Sequence, residues 1–402
     1  MLTIASSPLL TPLNYLVDDI EQDGIADAKR IIWLETQNAF DPEIGVIGPD
    51  LYTGMAGMAI TYLNAYRVGG RRHHRKIAKH CLHYALDHAD DIAPEHRPGF
   101  YNGWAGLLYA AVYGHSVLWD EVLRARAEDL LQRLAALPVG QEYDLMTGAA
   151  GTVLATALVA PVLGEPAKRV GLSAAEGLHE AAIRHPDSGA VSWKTAGDQL
   201  PLTGLSHGNA GIGWALCELH AATDETWLEE LAGQAFRYER QYFDTDAGNW
   251  YDLRHYASAD TLRHTPPPCE TAWCHGAGGI ALSRLRAYEI TGDRDYLSEL
   301  TVAARTLSSA VAGEHPEREL PSCLCHGLVG NLDILLTLRR RALPELSFLE
   351  DTPRYEPDLV AFATDRRRRS IDPGLFLGLG GMAHYLMRLA NPGIPPVLLP
   401  AL

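Results

Sequence analysis

A single short turn, repeated seven times, constrains this chain more than any other feature. Leu51-Tyr52-Thr53-Gly54-Met55-Ala56-Gly57-Met58-Ala59 contains a G-x-x-G turn that runs into an apolar, alanine-rich stretch. Equivalent turns stand at Gly103/Gly106, Gly148/Gly151, Gly208/Gly211, Gly276/Gly279, Gly327/Gly330 and Gly378/Gly381, with first glycines 49, 45, 60, 68, 51 and 51 residues apart. One G-x-x-G carries no information. Seven at nearly regular spacing, each opening helix-like sequence, describe a repeat architecture.

The stretches between the turns are helical in pattern too. Ile77–Leu86 and Trp227–Phe236 space their apolar residues at threes and fours, as amphipathic helices do, and alternating β-type runs are scarce. Each repeat therefore reads as an amphipathic outer helix, a loop, a glycine turn and a more apolar inner helix. Such a unit cannot bury its apolar face alone, so neighbours must pack side by side. The expected fold is all-α, an α/α toroid of about seven helix pairs in two concentric rings. Its glycine turns would surround one end of the bore. No composition break marks a second domain, so residues 1–402 read as one toroid with 1–45 as a helical lead-in. Asp244–Glu270, with Pro266-Pro267-Pro268, reads as a long functional loop.

Charge and composition remove several functions. Thirty-four basic against 50 acidic residues give a net charge of −16, the opposite of a nucleic-acid footprint. No apolar run reaches the roughly 18 residues of a membrane span. The N-terminus has no basic region of the signal-peptide type. Six cysteines in 402 residues do not make a disulfide framework, so they read as reduced cytoplasmic thiols open to metal binding or catalysis.

Aligning the turns exposes a column of candidate ligands. Immediately before the first glycine stand Thr53, Asn102, Thr147, His207, His275, His326 and Leu377. One place earlier come Tyr52, Tyr101, Met146, Ser206, Cys274, Cys325 and Phe376. Two thiolates and an imidazole suit Zn²⁺, and three protein ligands leave the fourth tetrahedral position open, as in catalytic sites. Binding by all four of Cys274, His275, Cys325 and His326 would instead close the site and make it structural. Asp144, four residues before Gly148, either caps its own inner helix or faces His207 or the substrate.

At these residues the chain resembles the lanthionine synthetase C-like family, the LanC-type cyclases. The resemblance rests on Ser206-His207-Gly208-Asn209-Ala210-Gly211, Trp273-Cys274-His275-Gly276-Ala277-Gly278-Gly279 and Leu324-Cys325-His326-Gly327, and it extends over all seven turns. Glu239-Arg240, Asn249–Arg254, His275 and the ending Asn391–Leu399 are nearer to the C-terminal cyclase domain of class II lanthipeptide synthetases. The resemblance implies a zinc enzyme that closes thioether rings in a dehydrated precursor peptide. It places the zinc ligands on Cys274, Cys325 and His326 and the active-site pair on His207 and Asp144. Some relatives carry an arginine shortly before the first zinc cysteine. Here Glu270-Thr271-Ala272 stands there, which leaves Arg254, with His275, as the candidate substrate contacts. Class II enzymes carry a large dehydratase domain for which Met1–Pro49 has no room, so dehydration would fall to a separate protein, or the chain is an excised domain.

Three other readings compete. The chain could add a small thiol such as glutathione to dehydroamino acids, or be a non-catalytic zinc-containing module that binds a peptide or thiol. Gly204-Leu205-Ser206-His207-Gly208 also spells the G-x-S-x-G elbow of serine hydrolases, which demands a strand before it and a helix after. The histidines at 73, 74, 80, 83 and 88 and the run Arg366-Arg367-Arg368-Arg369 read as solvated surface, the run with leader-peptide docking as its alternative. Cys81 and Cys217 read as packing residues. Cys269 and Cys323 lie close to the proposed ligands and read either as residues that support those ligands or as spare thiols.

Overall fold

The computed structural model describes residues 9–26, 31–34, 46–138, 140–197, 199–258, 266–313, 323–364 and 372–402. Seven inner helices are present among them: α2 (Met55–Gly69), α4 (Trp104–Leu118), α6 (Ala149–Leu163), α8 (Asn209–Thr223), α10 (Ala277–Thr291), α12 (Leu328–Arg339) and α14 (Leu379–Ala390). Each is capped at its N-terminus by the first glycine of its turn. They touch in cyclic order, and α14 returns to α2, so the ring closes. The all-α toroid is the observed fold.

The outer ring is less regular than the repeat suggests. Helices α3 (Arg72–Asp87), α5 (Glu121–Ala135), α7 (Glu165–Ala181), α9 (Thr226–Arg240) and α11 (Arg294–Ala312) back the first five inner helices. Behind α12 lies a 3₁₀ segment, Pro344–Asp351, instead. Behind α14 lies α1 (Leu10–Gln22), which also meets α13 (Glu356–Thr364), so the beginning of the chain completes its end. The lead-in is not wholly helical, because Ile25–Ala26 pairs antiparallel with Ile31–Ile32. Two more hairpins, Ile183–His185 with Ala190–Ser192 and Phe243–Asp244 with Asn249–Trp250, sit in the loops.

The second glycine of each turn has a steric reason. A Cβ at Gly106 would lie 1.8 Å from the Phe100 carbonyl oxygen, at Gly211 2.0 Å from Leu205 O, and at Gly330 2.0 Å from Leu324 O. The backbone six residues earlier crosses directly over the helix start, and only glycine admits it. Gly106→Ala is therefore expected to destabilise the fold by about 1–3 kcal/mol. Gly69→Ala is the control, since its Cβ would meet only Arg71 Cγ at 4.0 Å. Parallel denaturant melts would check this, and equal midpoints would refute the steric account.

The bore is filled. Tyr101, Trp273 and Phe376 pack against one another with ring centroids 4.9–5.2 Å apart, and Tyr52 stacks on Phe376 at 5.0 Å. Beyond α14 the chain turns back inside, where Ile394, Val397, Leu398 and Leu399 are buried. Its carbonyls accept from Arg67 of α2 (to Gly393, 2.8 Å), Trp273 in the turn before α10 (to Leu398, 3.1 Å) and Tyr109 of α4 (to Ala401, 2.9 Å). The tail is a plug on the axis.

Candidate active site

Backbone hydrogen bonds knit neighbouring turns into one rim. Leu51 and Tyr52 N–H donate to Tyr101 O, Phe100 to Leu145 O, Leu205 and Ser206 to Cys274 O, Trp273 and Cys274 to Cys325 O, Leu324 and Cys325 to Phe376 O, and Phe376 to Tyr52 O. Among the described residues no such bond joins the third turn to the fourth. The His207 and Asp144 side chains span that gap, with Nδ1 2.6 Å from Oδ2. The His207–Asp144 pair therefore sits where no backbone bond among the described residues joins the rim, while the cysteines sit where backbone bonds do.

Donor atoms of Cys274, Cys325 and His326 all lie within 4.8 Å of one another. Cys325 is buried, Cys274 half-buried and His326 exposed, so the group opens on one side only. Both cysteines stand two residues before a helix-capping glycine, near the partial positive charge of a helix start, which favours thiolate. A hydrogen bond from Cys325 holds the Cys274 thiol well below its ordinary value against the effect of burial, and the same bond pushes Cys325 up. Contacts with the sulfurs of Cys274 and Cys323, against burial, push the His326 imidazole up to about 10. Anionic sulfur with an imidazole is a donor set that calls for a borderline-soft cation. Zinc bonds of about 2.3 Å to sulfur and 2.0 Å to nitrogen bring all three within reach of one ion after small side-chain adjustments. His275 is left out of the cluster.

Asp144 does both jobs that its position suggests, one with each oxygen. Oδ1 accepts the Thr147 N–H at 2.8 Å, capping the turn, while Oδ2 holds His207. Asp50, at the same place in the first turn, accepts Thr53 N–H at 2.9 Å and has no histidine partner among the described residues. Asp144 is 1 % exposed in its side chain and His207 39 %. Burial alone would lower the His207 pKa, but the hydrogen bond and charge of Asp144 outweigh it, and the imidazole is held above its ordinary 6.5. The stability this contributes is fully present below about 6.5 and is lost as pH rises through the raised folded value. In Asp144→Asn the largest remaining effect is burial, so His207 is expected to titrate below 6.5. Ring-proton NMR reads this directly, and an unmoved midpoint would show that Asp144 does not set it.

The two remaining sequence candidates flank this pair. His275 is 3 % exposed, its ring centroid is 6.4 Å from that of His207, and its buried Nδ1 has no hydrogen-bond partner among the described residues. Arg254 is locked onto buried Asp252, with Nε 2.9 Å from Oδ2, and its positive charge acts on His207 and His275. The structure thus brings all seven candidates to one end of the toroid.

Sequence reasoning missed one neighbour. Tyr52 hydrogen-bonds to the Cys325 sulfur, and burial together with nearby sulfur pushes its phenol well above the ordinary value. The signal was present, since Tyr52 shares the register column of Cys274 and Cys325. Cys323 contacts His326, which favours the supporting role over the spare thiol of its two readings. His74 departs from the solvated reading, being 3 % exposed with its ring against Tyr62. His73 and His88 do lie at the surface, paired with Glu21 and Asp91. Cys81 and Cys217 are buried packing residues, as expected. Arg366–Arg369 lie outside the described residues. The hydrolase elbow fails, because no strand runs into the Ser206 turn over residues 199–205, and the Ser206 hydroxyl donates to Cys274 O at 3.3 Å.

A family model described as lanthionine synthetase C-like protein matches residues 45–400. The chain belongs to that family. A curated relative, the lacticin 481/lactococcin biosynthesis protein LcnDR2 of Lactococcus lactis subsp. lactis, is 22% identical over 330 residues, which are 78% of this chain and 31% of that one. The chain thus spans about a third of that relative's length. Among solved structures, nisin cyclase is similar with a TM-score of 0.63 and 17% identity, over 85% of this chain and 88% of that one. A family 76 glycoside hydrolase from a bovine Bacteroides thetaiotaomicron strain has a TM-score of 0.51 at 11% identity, over 96% of this chain and 78% of that one. Likeness at this level is likeness of scaffold, and a scaffold shared this widely leaves chemistry to be read from the site. No described helix is long and apolar enough to cross a membrane.

Proposed function

We propose that this chain is a zinc-dependent lanthipeptide cyclase. It adds peptide cysteine thiols to dehydroalanine or dehydrobutyrine and so forms lanthionine or methyllanthionine rings. The observation that carries the reading is the meeting, at one rim, of two soft sulfurs and an imidazole with a separate imidazole–carboxylate pair. Cys274, Cys325 and His326 would hold the metal, which when bound supplies a site where an incoming thiol gives up its proton near neutral pH. Sulfur then adds to the β-carbon of the dehydro residue, and the α-carbon takes a proton. His207, with its raised pKa and partly exposed ring, is the acid that delivers that proton. Asp144 fixes the ring and stabilises its charged form. Arg254 and His275 line the same rim and contact the substrate. The substrate is a dehydrated precursor peptide, made by a separate dehydratase or a dehydratase domain, and the reaction is cytoplasmic.

Addition of a small thiol to a dehydro residue is the second reading, since the same donors would activate it. Incubation with a dehydrated precursor peptide separates the two. Loss of free thiol at constant mass is the result expected for ring closure. A product heavier by one small thiol would replace that reading with intermolecular addition, and no reaction in either assay would leave a binding module.

A further inference from the structure

The fourth turn lacks the carboxylate that fastens the first and third. Four residues before the first glycine, Asp50 and Asp144 each accept a backbone N–H of their own turn, at 2.9 and 2.8 Å. The matching residue of the fourth turn is Gly204. A side chain is excluded there, because φ is +93° and a Cβ would lie 2.9 Å from Cys274 O and 3.0 Å from His275 Cα. The turn that carries His207 docks against the turn that carries Cys274, and in doing so gives up its own cap.

A replacement reaches in from the outer ring. Glu239, in the last turn of α9, is fully buried, and its Oε1 accepts both Gly204 N–H at 2.9 Å and Ala210 N–H at 3.0 Å. One oxygen therefore ties together the two ends of segment 204–210, with His207 midway. Its Oε2 takes Arg284 Nη2 at 2.8 Å. Arg284 is also fully buried, reaches Glu299 Oε2 at 2.6 Å and lies over the Phe236 ring at 4.0 Å. Glu299 has a second partner in Arg240. Buried ion pairs add little net stability, since desolvation offsets attraction and apolar packing often does as well. What this pair does supply is an acceptor held rigidly at one point.

The structure assigns Glu239 as the positioning residue of His207: its carboxylate clasps both ends of the turn and holds the imidazole on Asp144 beside the Cys274 turn. The assignment rests on the role proposed above for His207. Misplacement of a reacting group by about 1 Å costs on the order of 10²-fold in rate, and that is the size of effect expected from opening the clasp.

The test compares Glu239→Gln with Glu239→Ala, each combined with Arg284→Met. Both double variants lose the ion pair equally and leave Glu299 on Arg240, but only glutamine keeps an acceptor for the two N–H groups. Two readouts are expected to separate them. Amide hydrogen exchange at Gly204 and Ala210 should be faster in the alanine variant alone. Cyclisation of a dehydrated precursor peptide should be about 10²-fold slower in that variant, with metal per chain unchanged, and the difference should vanish when His207→Asn is added to both. Equal exchange would overturn the clasp. Unequal exchange with equal cyclisation would overturn the positioning role. A wild type that does not cyclise would refute the functional reading itself and leave exchange to decide the clasp. Where the alanine variant does not fold, Glu239→Asp keeps the charge on Arg284 but shortens the arm by one methylene, and the same losses are expected in smaller measure.

Discussion

Cys274→Ala is expected to empty the metal site, taking bound zinc from one ion per chain to none after gel filtration and abolishing ring closure. Three donors within 4.8 Å of one another form the group, and two remain after the substitution. Loss of a mere outer-shell partner typically costs 10–100-fold in metal affinity, so loss of a direct ligand should cost more than about 10²-fold. The residual sulfur also loses its bond with Cys274 and keeps only the one with Tyr52, because Cys274 and Cys325 hold one another's ionisation apart. Cys217→Ala is the matched control: a buried thiol in α8, outside the three-donor group, whose loss should leave the metal in place. Cys323→Ala should weaken the hold on His326 without emptying the site. Elemental analysis of the three variants checks all of this, and full zinc in Cys274→Ala would end the assignment of that residue as a ligand.

His207→Asn is expected to slow cyclisation of a dehydrated precursor peptide by about 10²–10⁴-fold, the usual weight of a positioned general acid. Metal content should stay at the wild-type level, since His207 is outside the three-donor group. Asparagine keeps a polar group of similar reach toward Asp144 but cannot deliver a proton from a charged form. The separation between the two variants is the informative part. One loses metal and chemistry together, and the other loses chemistry alone. Thiol titration against time reads the rate, and unimpaired ring closure in His207→Asn would remove the residue from the mechanism.

The pH dependence follows from the same pair. Asp144 keeps His207 protonated to higher pH than an ordinary histidine, so the charged acid persists further toward neutrality. Burial works in the opposite sense, so removal of the carboxylate reverses the shift instead of merely cancelling it.

Much of this protein can be read along the chain because its information is local and repeated. Seven glycine pairs mark the helix starts, and a Cβ on the second glycine would collide with the carbonyl six residues earlier in six of them and, at Gly151, with the backbone of Gly99 and Phe100. Once the turns are in register, Cys274, Cys325, His326 and His207 fall into adjacent columns, and the register places them on one rim before any coordinates are seen. Other features depend on which surfaces meet after the ring closes. Asp144 and Asp50 are alike in sequence position and in their backbone bond, yet only Asp144 faces a histidine. Tyr52 reaches Cys325 only because α14 packs back on α2. Glu239 stands out along the chain only through the resemblance of Glu239-Arg240 to class II cyclase domains, and its hold on Gly204 and Ala210 exists only because α9 packs behind α8. Periodicity encodes where each helix begins and which residue types share a level. It cannot encode partners drawn from different levels or different rings, because those contacts are set by the curvature of the closed toroid and by the tail that fills its axis.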